Sequence, residues 1–253
     1  MPTIAIGDIH GNLGALEDLL AIIVPELDKE DTLVFLGDYI DRGADSQGCV
    51  ERIVRLREEA PCPIVALMGN HEQWMLRTLH DPCCHSWLLG MEAFDTITSY
   101  SKEAANVLRE ALQRDAMGVI MEKHPLPYSV FFAQVPSSHL RFFEGLRLFH
   151  RTADVTCVHG GIHLEGGAIN TEPDVFIWGP DGFPEEYSGP ENVVYGHWNN
   201  AILDERGWPG PCVRQNLTFG IDTISFGILT AMRFSDRKVY QSKQLRSARA
   251  DKA

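Results

Sequence analysis

An α/β fold with parallel strands is predicted for the first third of this 253-residue chain by three observations. Short β-branched apolar runs alternate with helical patterns, as strand-helix-strand units require. Three glycine-bracketed polar segments, GDIHG (7–11), GDYIDRG (37–43) and GNHE (69–72), each follow such a run, and the intervals 12–36 and 44–68 both measure 25 residues. From His124 onward β-branched and aromatic runs return without long helices between them, which predicts a second, more antiparallel sheet.

Each element has its own local justification. Thr3–Ile6 reads as a strand, and Leu13, Leu16, Leu19, Leu20 and Ile23 then mark one face of a helix over 12–25. A strand over 32–36 is followed by a helix over 46–60, with Val50, Ile53, Val54 and Leu56 inward, until Pro61 and Pro63 stop it. Residues 64–68 form the third strand, and a helical pattern restarts near Asn70. Residues 72–124 read as a helical insertion broken at Pro82, with Trp87, Leu88, Phe94, Tyr100, Val107, Leu108 and Leu112 as apolar anchors. The stretch 87–100 is expected at the rim of a site or in the core. Strands are predicted over 128–135, 155–158, 192–195, 217–221 and 228–234, with a short helix over 139–146. A single domain over 1–240 is expected, with 241–253 a tail that lacks a periodic apolar face.

Composition narrows the function classes. Hydrophobic residues make up 44% and charged residues 23%, ordinary globular usage that excludes disordered and collagen-like chains. With 22 basic and 35 acidic side chains the net charge is −13, so nonspecific nucleic-acid binding is not expected. The first residues carry no basic n-region, and no segment approaches the roughly 20 apolar residues of a membrane span, so a cytoplasmic location is expected. Six cysteines without a CxxC pair read as free thiols. Cys83, Cys84 and His85 are compact enough for a soft metal, but no second cluster completes a tetrahedral site.

The chemistry concentrates where strands end, the position at which open α/β sheets hold ligands. Asp8 and His10 lie one residue apart in the first loop, Asp38 follows the second strand, and Asn70 and His71 follow the third. Carboxylate, imidazole and amide donors together suit manganese, iron or zinc better than a thiolate-seeking ion. Any one of these loops alone would read as a turn, a structural histidine or a surface ion pair. Their recurrence at three successive strand ends points instead to one site.

GDIHG, GDYIDRG and GNHE together resemble the three-part signature of the phosphoprotein phosphatase family of calcineurin-like metallophosphoesterases, in its short bacterial and bacteriophage form. HGG at 159–161 and GH at 196–197 extend the resemblance over about residues 3–234. It implies a four-layer αββα sandwich of two mixed sheets flanked by helices, and two divalent cations, manganese first with iron or zinc as alternatives. Asp8, His10 and Asp38 match the ligands of one cation; Asp38, Asn70, His159 and His197 match those of the other. The resemblance further implies direct attack of a hydroxide shared by the cations on phosphorus. His71 matches the general acid, Asp41 the carboxylate that holds it, and Arg42 the phosphate-binding arginine.

The implied activity is hydrolysis of phosphomonoesters, foremost phosphoserine and phosphothreonine in proteins, with small phosphoesters as further substrates. The alternatives are a diadenosine tetraphosphate hydrolase, which shares these motifs, and a phosphate-binding pseudoenzyme. One departure stands out. The family's second phosphate-binding arginine is absent: residues 160–196 contain none, and Trp178 is followed by Gly179 and Pro180 where one is expected. Arg206 is the candidate replacement. Trp198, Asn199 and Asn200 are expected to line the pocket, and His80, His85, His124, His139, His150 and His163 to be structural or exposed.

Overall fold

The computed structural model describes residues 2–243. β1 (Thr3–Ile6), β2 (Thr32–Phe35) and β3 (Ile64–Ala66) pair in parallel, joined by α1 (Leu13–Ile23) and α2 (Ser46–Glu59). The Asp45 carboxylate caps α2 by accepting the Gly48 N–H at 2.8 Å, and the helix stops at an extended Ala60 just ahead of Pro61. α3 (Asn70–His80) starts directly from the loop after β3. A helical layer follows, built from α4 (Ser86–Gly90), α5 (Ala93–Tyr100), α6 (Lys102–Arg114), α7 (Ser129–Phe132) and α8 (Ser137–Glu144).

β4 (Phe149–Arg151) and β5 (Thr156–Val158) open the second half. A small hairpin, β6 (Leu164–Glu165) with β7 (Ala168–Ile169), and α9 (Pro173–Trp178) come next. β8 (Val193–Tyr195), the β9 (Ile202–Leu203) and β10 (Pro209–Gly210) hairpin, β11 (Cys212–Val213) and β12 (Thr218–Gly220) follow. β13 (Thr230–Arg233) and β14 (Val239–Gln241) return the chain to the first sheet.

Two five-stranded mixed sheets result, in the orders β14-β13-β1-β2-β3 and β11-β12-β8-β5-β4. Strand alternation divides the core into layers. Ala5, Val34, Leu36, Val65 and Leu67 of one sheet meet Cys157, Val194 and Phe219 of the other. Ile4, Ile6, Leu33 and Phe35 face the helical layer, packing with Leu16, Leu19, Val50 and Ile53. On the outside of the second sheet Val158, Val193 and Tyr195 pack under Phe176, Phe183 and Tyr187. The expected arrangement of two mixed sheets flanked by helices therefore holds, with α9 and the turns after it forming a thin outermost layer.

Two local expectations are corrected. Residues 128–135 hold a short helix rather than a strand: Phe131 packs against Trp87 and Tyr100 inside the helical layer, and Pro127 and Pro136 bracket the segment. Aromatic content there serves helix packing, not sheet pairing. The helical layer consequently runs on to Glu144. β4 and β14 were not legible as strands, being three-residue edge strands. Of the tail expected over 241–253, residues 244–253 lie outside the described residues, while Gln241 closes β14 and the Ser242 hydroxyl accepts the Leu229 N–H. Among the described residues all six cysteines are free, and no helix is long and apolar enough to cross a membrane.

Candidate active site

The loops after β1, β2, β3, β5, β8 and β12 meet at one end of the two sheets, and five side chains of the expected set crowd around Asp38. His10 Nε2 lies 3.4 Å and His71 Nε2 3.8 Å from Asp38 Oδ2, and His159 Nε2 lies 3.4 Å from Asp38 Oδ1. The Asn70 amide reaches 2.9 Å from His159 Nε2, 3.0 Å from His197 Nδ1 and 3.2–3.3 Å from both Asp38 oxygens. Asp8 joins through the His197 N–H, which it accepts at 2.9 Å. Two groups of ligand-type side chains sharing Asp38 result: His10, Asp38 and His71, and Asp38, His159 and His197.

Local backbone geometry explains why these residues gather. His10, Asp38, Asp41, Arg42 and His197 all adopt positive φ, between 46° and 69°. Each such residue costs about 1–3 kcal/mol, a strain tolerated where surrounding structure over-determines the loop. Gly196 is obligatory for a different reason, since a Cβ there would fall 2.0 Å from Asp8 Oδ1. Glu72, fully buried at the third position of α3, accepts the N–H groups of Asp38 at 3.0 Å, Tyr39 at 2.8 Å and Gly69 at 3.2 Å. It thereby ties the second loop to the third.

The donor atoms suit cations. His10 Nδ1 lies 2.9 Å from the Ile40 carbonyl and His159 Nδ1 3.0 Å from the Leu36 carbonyl, so each imidazole donates backward and turns Nε2 inward as a lone pair. Burial keeps them neutral: it lowers His10 to about 3, lowers His159, and with His159 alongside lowers His197 to about 4. Burial raises Asp8 well above the carboxylate range, and the neighbouring Asp222 and Asp38 push it further. For Asp38 the upward push of burial is outweighed by the surrounding imidazoles, His159 foremost, which hold it ionised. Asp8 Oδ1 and His10 Nε2 are fully buried without a hydrogen-bond partner. With its oxygen turned inward the Asn70 amide faces only acceptors, a position that a cation would satisfy and that otherwise favours the amide nitrogen.

Beside the cage stands a hydrogen-bonded histidine–aspartate pair. His71 Nδ1 lies 2.7 Å from Asp41 Oδ2, which also accepts the Trp87 indole N–H at 2.9 Å, while Asp41 Oδ1 accepts the Thr96 hydroxyl. Burial alone would lower His71, but the charges of Asp38 and Asp41 and the Asp41 hydrogen bond prevail and hold it at about 8. Arg42 reaches 3.4 Å from His71 Nε2 with its guanidinium.

Other expected residues fall elsewhere. Arg206 is exposed in the β9–β10 turn, where its backbone N–H donates to the Asp204 carboxylate. The Cys83–His85 cluster assembles no metal site: Cys84 Sγ turns to Asp81, and the His85 ring is satisfied by Tyr128 and the His124 carbonyl. Trp87 is core rather than rim. Trp198 is partly exposed beside His197, its ring 5.0 Å away. Sequence reasoning assigned no role to Glu72, Thr96 or Asp222. Asp222, buried and accepting the Asn199 N–H at 2.8 Å, closes another apolar run, the signal that marked Asp8 and Asp38.

A family model described as calcineurin-like phosphoesterase matches residues 1–227. The chain belongs to this family. As a calcineurin-like phosphoesterase it is a hydrolase of a metal-using family. It is 23% identical to a symmetrical bis(5'-nucleosyl)-tetraphosphatase of Nitrosospira multiformis over 96% of both chains. It is 31% identical to the serine/threonine-protein phosphatase 6 catalytic subunit of Drosophila melanogaster over 38% of this phosphoesterase, a match spanning 34% of that subunit's own length. The fold aligns with the crystal structure of a putative diadenosine tetraphosphatase at a TM-score of 0.56 and 21% identity, covering 95% of this chain and 92% of the other.

Proposed function

We propose that this phosphoesterase hydrolyses phosphomonoesters, foremost phosphoserine and phosphothreonine side chains, with two divalent cations held by Asp8, His10 and Asp38 and by Asp38, Asn70, His159 and His197. Manganese suits the mixed oxygen and nitrogen donors first, with iron and zinc as alternatives. When bound, such cations supply positive charge against the phosphate dianion and lower the pKa of water. The observation that carries this reading is the convergence of these donors on Asp38, with Asp8 Oδ1 and His10 Nε2 buried and unpartnered.

The chain's own groups do the rest. The His71 imidazolium donates its Nε2 proton to the leaving oxygen, and Asp41 stabilises that imidazolium while Trp87 and Thr96 hold the carboxylate in place. Arg42 offers a planar fork for two phosphate oxygens. A second reading, cleavage of dinucleoside polyphosphates, is supported by the rings of Trp178 and Trp198 next to His197 and by the full-length match to the bacterial tetraphosphatase. Manganese-loaded protein assayed against a phosphoserine peptide, p-nitrophenyl phosphate and diadenosine tetraphosphate tests both. Release from the peptide and the aryl ester is the expected result. Turnover of the tetraphosphate alone would replace the first reading with the second, and no turnover would leave only a phosphate-binding protein.

A further inference from the structure

The cage has two unlike ends. At one, the His10 and His71 rings are 4.6 Å apart and Arg42 reaches His71, so proton donation and the phosphate grip share that end. At the other, His197 meets Asn70, and the rings of Trp178 and Trp198 stand 5.8 and 5.0 Å from the His197 ring, each nearly perpendicular to it. Trp178 is backed by Trp74, 4.9 Å away.

Both indoles are held by their polar edges. Trp178 Nε1 donates to Gln73 Oε1 at 2.8 Å, and Gln73 is in turn anchored on Asp174 at 2.8 Å; Trp198 Nε1 donates to the Gly160 carbonyl at 2.6 Å. Yet Trp198 remains 39% exposed and Trp178 is only partly buried. Gly179, the residue after Trp178, leaves room for Trp198, because a Cβ there would meet the Trp198 ring at 2.8 Å. Trp178 stands directly before the position in sequence where a second phosphate-binding arginine is expected, and Trp198 directly follows His197.

We propose that Trp178 and Trp198 form a stacking shelf for the nucleobase of a substrate whose retained phosphoryl group carries a nucleoside. The proposal rests on the second reading above, cleavage of a dinucleoside polyphosphate. A monoester carries its single organic substituent on the leaving oxygen, at the His71 end, and would leave a shelf at the far end unused. An internal phosphoryl group of a phosphoanhydride carries a substituent on both sides. It also has one fewer terminal oxygen to neutralise than a monoester dianion. Every base has a π-face, and base–aromatic stacking contributes about 1–3 kcal/mol per base.

The test compares diadenosine tetraphosphate with inorganic tripolyphosphate, an anhydride without bases, in wild-type protein and in Trp178→Leu, Trp198→Leu and Trp198→Phe, all manganese-loaded. The expected result is a fall of about tenfold in the ratio of kcat/KM for the dinucleotide to that for tripolyphosphate in each leucine variant. Most of the change should sit in KM, and phenylalanine should restore it. An unchanged ratio, or a parallel loss on both substrates, overturns the shelf. So does an equal fall for p-nitrophenyl phosphate, whose ring departs at the leaving side. Quenching of indole fluorescence by ADP separates the two levels of inference. If no phosphate ester or anhydride turns over, quenching that disappears in the leucine variants keeps the shelf while the hydrolytic reading fails, and absent quenching removes the shelf as well.

Discussion

In the proposed mechanism His71 concentrates the proton chemistry of the site in one side chain. Its Nδ1 is committed to Asp41, which leaves Nε2 free to face Asp38 and Arg42, and its neighbours favour the charged form. A raised pKa means that the acid is present at low pH and is lost as pH rises through the folded value. Without cations that value is about 8, and positive charge entering the cage lowers it. Accordingly kcat should fall on the alkaline side, with a midpoint below 8. His71→Asn should lower kcat by about 10²–10⁴ and abolish that alkaline limb while metal content stays at the wild-type level. A variant with wild-type kcat, or one with the limb intact, would remove His71 from the acid role.

Elements position these side chains through second contacts that motif reading passes over. Asp41 sits in the loop after β2, yet its partners Trp87 and Thr96 come from α4 and α5, so the helical layer reaches into the site from behind. Thr96→Val keeps the shape and deletes the hydroxyl that contacts both the Asp41 carboxylate and its N–H. It should destabilise the protein by about 1–3 kcal/mol in urea denaturation and lower kcat with two cations still bound. Unchanged stability would show that the helical layer does not brace Asp41. Asp8, His10, Asp38, Asn70 and His71 were legible in the sequence because each follows a parallel strand at its carboxyl end. Glu72 escaped notice because its work is done on backbone N–H groups of another loop, and a lone glutamate in a helix carries no sign of that. Residues 128–135 misled because aromatic side chains serve a helical core as readily as a sheet.

At the scale of the molecule, two sheets facing one another across a shared apolar layer bring their loops to one end, and strands far apart in sequence deliver Asp8, Asp38, His159 and His197 to a common point. The first sheet was legible from its regular repeat. The second was legible only in part, since β4 and β11 are edge strands of three and two residues whose pairing is set by tertiary contacts. The fold concentrates Asp8, Asp38 and Asp222 in a buried space where each raises the cost of ionising another, a charge imbalance that bound cations relieve. Asp38 is common to both ligand groups, so the two cation sites should stand or fall together. The most direct measurement is metal content after manganese loading and gel filtration, by elemental analysis, for wild-type protein and Asp38→Ala. Two ions per wild-type chain, with both lost in the variant, are predicted. A wild-type chain that retains none, or a variant that retains both, would contradict a two-cation cage centred on Asp38.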